Sequence, residues 1–363
     1  MAAVEPAAEN IKPVNPYNDI GAQKQLENPP KIIKAVYATG WSAGSKKKMD
    51  YLIDLIKKTE LNAVVIDIKD YSGELSYLTD LEDVEKYSLK RDLKILQPNA
   101  LIKRLHDEGI YAIARQTVFQ DPVLALARPD LALTSSSTGK QWADFKGVMW
   151  VDPAAQPVWD YNIAIAKDAL ARGFDEVNFD YIRFASDGNM KDVIYPAWND
   201  KTPKAEIIWQ FFQYLREQLG NAKLSADLFG YTTLLYDDLG IGQIIENAYL
   251  YFDAVAPMVY PSHYNSGFLG FKSPAEHPYE VVYASMAQAQ DRLTALKNST
   301  TTAETVRAEL RPWLQDFNLG AVYDAEKVRA QITAAQKGLN NPDIGWMLWN
   351  PSNIYTRSAL LSE

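Results

Sequence analysis

Two stretches of this sequence set a carboxylate where a short apolar alternation ends. Phe174-Asp175-Glu176-Val177-Asn178-Phe179-Asp180 follows the helix-ending Gly173 and leads to Asp180, with Arg183 three residues on and Phe184 expected to close the strand. Leu224-Ser225-Ala226-Asp227 is a second such segment, followed by Leu228-Phe229-Gly230. Cleavage of a glycosidic bond needs two carboxyl groups, an acid for the leaving oxygen and a nucleophile or base. A separation of ~5–5.5 Å gives retention and ~6.5–9.5 Å gives inversion. Adjacent strands lie ~4.8 Å apart, so Asp180 and Asp227 on consecutive strand ends could meet either geometry. Asp180 is assigned the nucleophile or base, because a neighbouring arginine favours the charged carboxylate. Asp227 is assigned the acid, because an apolar setting raises a carboxyl pKa. Asp67 and Asp316 stand in reserve for that role.

Composition narrows the chemistry further. The 363 residues contain no cysteine, which excludes disulfides, thiolate metal sites and a cysteine nucleophile. The three histidines, His106, His263 and His277, show no ligand spacing, so no metal and no cofactor is expected. A net charge of −9 argues against nucleic acid as a partner. No run approaches the ~18 apolar residues that span a membrane. Ser135-Ser136-Ser137-Thr138-Gly139-Lys140 ends like a phosphate loop but lacks its first glycine and its strand–helix context. The 21 Tyr, 9 Trp and 12 Phe supply faces on which sugar rings could stack.

The elements that must position these residues alternate regularly. Strands are expected at 33–39, 63–68, 111–118, 176–181, 224–227, 254–260, 305–311 and 344–348, with helical patterns between them; 305–311 is the most charged. Eight βα units indicate an α/β chain folded as a single (β/α)₈ TIM barrel with loop insertions. Residues 1–31 read as a flexible leader, 32–357 as the barrel and 358–363 as a tail. Such a barrel gathers its strand ends at one rim. The candidate substrate-binding residues are therefore Trp41, Asp67, Lys69, Arg115, Arg183, Tyr260, His263, Trp313, Asp316, Trp346, Trp349 and Asn350. The four tryptophans would stack on sugars, and Tyr260 and His263 would orient hydroxyls. A glycan-binding barrel without hydrolysis is the alternative, and oligomeric state stays open.

Seven segments carry a resemblance. They are Tyr37-Ala-Thr-Gly-Trp41-Ser-Ala-Gly44, Val65-Ile-Asp67-Ile-Lys69-Asp70, Phe174 to Phe184, Ser225-Ala-Asp227-Leu-Phe-Gly230, Ala256-Pro-Met258-Val-Tyr260-Pro-Ser-His263-Tyr264, Arg311-Pro-Trp313-Leu-Gln-Asp316-Phe and Gly345-Trp346-Met-Leu-Trp349-Asn350. In that order they resemble the bacterial "putative glycosyl hydrolase domain" family, also described as a domain of unknown function. The resemblance implies a TIM barrel, glycosidase-like activity on a carbohydrate, and an exported, extracellular or cell-surface setting. Chitinase-type barrels are more distantly similar. Ile182 stands where their catalytic glutamate belongs and Pro261 where an aspartate belongs. Asp180 as a direct nucleophile is closer to α-amylase- and α-galactosidase-type barrels.

Overall fold

The computed structural model describes residues 18–88, 93–299 and 306–362. Eight parallel strands form the barrel: β1 (Lys34–Ala38), β2 (Ala63–Lys69), β3 (Tyr111–Thr117), β4 (Glu176–Asp180), β5 (Lys223–Phe229), β6 (Ala254–Met258), β7 (Trp313–Gln315) and β8 (Trp346–Trp349). Each strand pairs with the next, and β8 pairs with β1, which closes the ring. Helices lie between consecutive strands: α1 (Lys46–Lys57), α2 (Pro98–Asp107), α3 (Gln156–Arg172), α4 (Lys204–Leu219), α5 (Ile245–Tyr251), α6 (Pro278–Lys297) and α7 (Ala325–Gly338).

Period-two alternation divides the strand residues into two layers. Val64, Ile66, Ala112, Ala114, Val177, Phe179, Ala226 and Leu228 face outward into the large core beneath the helices. Ala35, Tyr37, Val65, Ile113, Ala256, Trp313 and Met347 face the barrel axis. Polar groups also line the axis. At its lower end Arg311 donates to Glu176, and Ser225 Oγ donates to Glu176 at 2.5 Å. Asn178 Nδ2 continues the column, 3.0 Å from Ser225 Oγ and 2.8 Å from Asp227 Oδ1.

Two expectations need correction. The seventh strand lies later than 305–311: Glu309–Leu310 makes a short pairing with β6, Pro312 interrupts it, and the strand resumes at Trp313. Thr305 lies outside the described residues. β4 stops at Asp180 and does not run on to Phe184, because Tyr181 takes a left-handed conformation with φ 53°. Of the region read as a leader, the described residues make contacts with the barrel. Asp19 accepts from the amides of Asn99 and Ala100 at the start of α2, and Leu26 N donates to Asp175 Oδ1 at 2.6 Å. This segment passes Gly173, whose φ of +110° disfavours any side chain and where a Cβ would lie only 2.7 Å from Gln23 O. Residues 1–17 lie outside the described residues.

Candidate active site

At the C-terminal ends of β2 to β5, four charged side chains meet inside the barrel. Alternation points Asp67, Arg115, Asp180 and Asp227 toward the axis, and register sets them side by side. Asp67 pairs with Arg115, and Phe179 with Ala226 one residue below the two acids. Arg115 is the hub. Its Nη1 donates to Asp67 Oδ1 at 2.5 Å, its Nη2 donates to Asp180, and its Nε lies 3.5 Å from Asp227 Oδ2. Tyr37 donates its phenol to the other oxygen of Asp67. The Tyr37 ring stacks on Trp349 at 3.8 Å, and the Arg115 guanidinium lies 5.1 Å from the Trp349 ring.

Asp227 is almost fully buried, and its Oδ1 accepts from Asn178 Nδ2 and from Trp313 Nε1 at 2.7 Å. Burial raises its pKa to about 7, with the neighbouring Asp180 adding to the rise. Arg115, Asn178 and Trp313 oppose it. Burial also raises the Asp67 carboxyl above its usual value. The Asp180 Oδ1 accepts from the amide of Tyr181 at 2.6 Å. Tyr181 itself takes a left-handed conformation, which is costly for a side chain of this size; such strain clusters at functional sites.

A cleft of about 530 Å³ opens above these carboxylates, lined on its floor by Arg115, Asp180, Asp227, Trp313 and Trp349. Its walls include Tyr181, Arg183, Phe229, Tyr231, Tyr260, His263 and Tyr264. Burial holds the Tyr260 phenol well above its usual pKa, with Asp227 and Asp180 adding to it, so it remains a hydrogen-bond donor. Burial, with the charge of Lys146, lowers the His263 pKa and favours the neutral ring.

The structure thus brings Asp180, Asp227, Arg115, Arg183, Tyr260, His263, Trp313 and Trp349 to one cleft, with Asp67 held behind Arg115. Arg183 is not the partner expected for Asp180. It bonds Phe184 O and Ser186 Oγ, and packs over Trp150 and Phe229. The cation beside Asp180 comes from β3 instead.

Five candidates stand elsewhere. Lys69 is fully buried outside the barrel, 2.7 Å from Asp121. Asp316 binds the Thr356 amide and hydroxyl, and burial raises its pKa to about 6. Trp346 faces the outer core. Asn350 folds back on its own loop, donating to Asp316 O and Ile354 O. Trp41 is 57% exposed on the turn after β1. Sequence reasoning left out Asn178, which shares the inward face with Asp180 by alternation and was findable that way. Lys146, on the long connection after β3, and Tyr231, in a short 3₁₀ helix directly after β5, also line the cleft and carried no such signal. Among the described residues no group of three or more His, Cys, Asp or Glu could hold a metal ion. No helix among them is long and apolar enough to cross a membrane.

The fold recurs in solved glycoside hydrolases. The glycoside hydrolase domain of PgaB (BpsB) from Bordetella bronchiseptica matches 91% of this chain and 99% of its own, with TM-score 0.59 and 16% identity. An α-galactosidase from Thermus thermophilus matches 90% of this chain and 59% of its own, with TM-score 0.52 and 13% identity. A hypothetical protein from Ruminiclostridium thermocellum is 37% identical over 57% of this chain and 98% of its own, with TM-score 0.49. Comparison with curated protein sequences finds no relative. The model of the "putative glycosyl hydrolase domain" family matches residues 35–355, nearly the whole barrel, and the chain belongs to that family.

Proposed function

We propose that this protein is a retaining glycoside hydrolase that cleaves O-glycosidic bonds of an oligosaccharide or polysaccharide. The observation that carries the reading is one pair. Asp180 ends β4 and Asp227 lies two residues before the end of the neighbouring β5, both within reach of Arg115, and Asp227 keeps its proton up to about pH 7. That pairing suits a protonated acid beside a nucleophile. In the first step Asp227 gives its proton to the glycosidic oxygen while an Asp180 oxygen bonds the anomeric carbon and the leaving group departs. In the second, Asp227 takes a proton from water, whose oxygen displaces Asp180 and restores both groups. Trp349, half-buried in the cleft, offers a ring for a sugar, Trp313 is buried and holds Asp227, and the Tyr260 phenol can donate to a hydroxyl.

The test is turnover of a broad glycan panel by the wild type, Asp180→Asn and Asp227→Asn. Each substitution should lower kcat by roughly 10²–10⁴-fold or more while the protein still folds. Activity should fall on the alkaline side near pH 7, where Asp227 loses its proton. Wild-type binding without cleavage of any glycan would overturn the reading in favour of a glycan-binding module.

A further inference from the structure

The two-carboxylate reaction moves negative charge across the cleft. When the glycosyl–enzyme forms, Asp180 becomes a neutral ester and Asp227, having given up its proton, becomes the anion. Hydrolysis reverses both changes. One cation already stands between the two groups. Arg115 bonds Asp180 through Nη2, whereas its Nε is buried, has no hydrogen-bond partner among the described residues and lies 3.5 Å from Asp227 Oδ2. That gap is just beyond a hydrogen bond, and ~0.6 Å of movement would close it. The third corner of the guanidinium is fixed, because Nη1 bonds Asp67, which Tyr37 holds in turn. A fork anchored at one corner can rock between two acceptors without leaving its site.

Resting on the proposed hydrolase reading, we infer that Arg115 is the shared counter-ion of both carboxylates, passing from Asp180 to Asp227 as the glycosyl–enzyme forms and back as it is hydrolysed. Arg115 acts through the two acids and is a positioning residue; Asp67 and Tyr37 form the pivot that keeps it between them. The groups facing Asp227 are Arg115 from β3, Asp180 and Asn178 from β4, Tyr260 after β6 and Trp313 from β7. Of these, Arg115 alone carries a positive charge.

The experiment needs no substrate. In Asp180→Asn the side chain is neutral, as in the ester. A crystal structure of that variant should show Arg115 Nε within about 3 Å of Asp227. Titration of ¹³C-labelled aspartate should show the proton affinity of Asp227 at least ~10-fold lower than in wild type. In Asp180→Asn/Arg115→Met that decrease should vanish. If the double variant fails to fold, Asp180→Asn/Arg115→Lys replaces it. A single ammonium lacks the fork that bonds Asp67 and Asp227 together, so Asp227 should again hold its proton more tightly than in Asp180→Asn. An Arg115 that stays in place in Asp180→Asn, or arginine variants that titrate as Asp180→Asn does, would overturn the inference. Failure of the glycan panel with the titrations as expected would instead remove the hydrolase reading and leave the shared cation standing.

Discussion

Asp227 shows what the site costs at the residue scale. Its folded pKa of about 7 lies above the ordinary carboxyl value of 3.8, so the folded chain binds this proton more tightly than the unfolded chain. The associated stability is fully present below about pH 4 and is lost as the pH rises through about 7. Asp316, raised to about 6 by burial, acts in the same direction. Asp227→Asn removes the ionisation while keeping the acceptor that Asn178 and Trp313 use. The variant should therefore unfold a few degrees above wild type at about pH 8, with a smaller gain at about pH 5. Thermal unfolding at both values tests this; a gain that is equal or larger at the lower pH contradicts it. Both acids were legible in the sequence, because each closes an apolar alternation. Their partner was not: Arg183 is near Asp180 in sequence, whereas Arg115 reaches it across a strand pairing 65 residues away.

At the scale of elements, one departure from simple alternation and one consequence of it moved candidate residues out of the site. Asp67 and Lys69 are two apart on β2 and by period would share a face. A register shift between them in the β2–β3 pairing turns Lys69 outward. There its ammonium meets Asp121, Thr117 O and Asn162 Oδ1, the last on α3. Trp346 and Trp349 are three apart on β8, so one faces the helices and the other the cleft. A bulge leaves no mark in composition, which is why Lys69 read as a rim residue. Its burial opposite Asp121 gives it a different consequence. Lys69→Met should leave the Asp121 charge without its counter-ion and cost about 3–5 kcal/mol in denaturant unfolding. Glycan affinity of the folded variant should be unchanged. Lost affinity at unchanged stability would return Lys69 to substrate binding.

For the whole molecule, barrel closure is uneven, and the site straddles the weak side. β2 and β3 pair over nearly their full length, but β7 meets β6 through one register pair, Trp313 with Met258. The break has a sequence cause: Pro312 has no amide hydrogen to give a ladder, and β7 resumes for only three residues. The charged 305–311 segment thus concealed a strand that the TIM-barrel count required, and its position followed only from closure. Two side chains reinforce this seam. Arg311 crosses to Glu176 on β4 at the lower end, and Trp313 donates to Asp227 on β5 at the upper end. The seam and the acid are therefore coupled: if β7 opens, Asp227 loses a donor that helps to set its pKa. Amide exchange should report this. Val259, whose N–H donates to Trp313 O at 3.2 Å, should exchange at least ~10-fold faster than Val64 or Ile113 within β2 and β3. Arg311→Met, which leaves Glu176 buried beside Ser225 and Tyr111, should accelerate Val259 further while the β2–β3 amides keep their rates. Uniform acceleration across all eight strands would mean instead that the barrel opens as one cooperative unit, with no weak side for the acid to depend on.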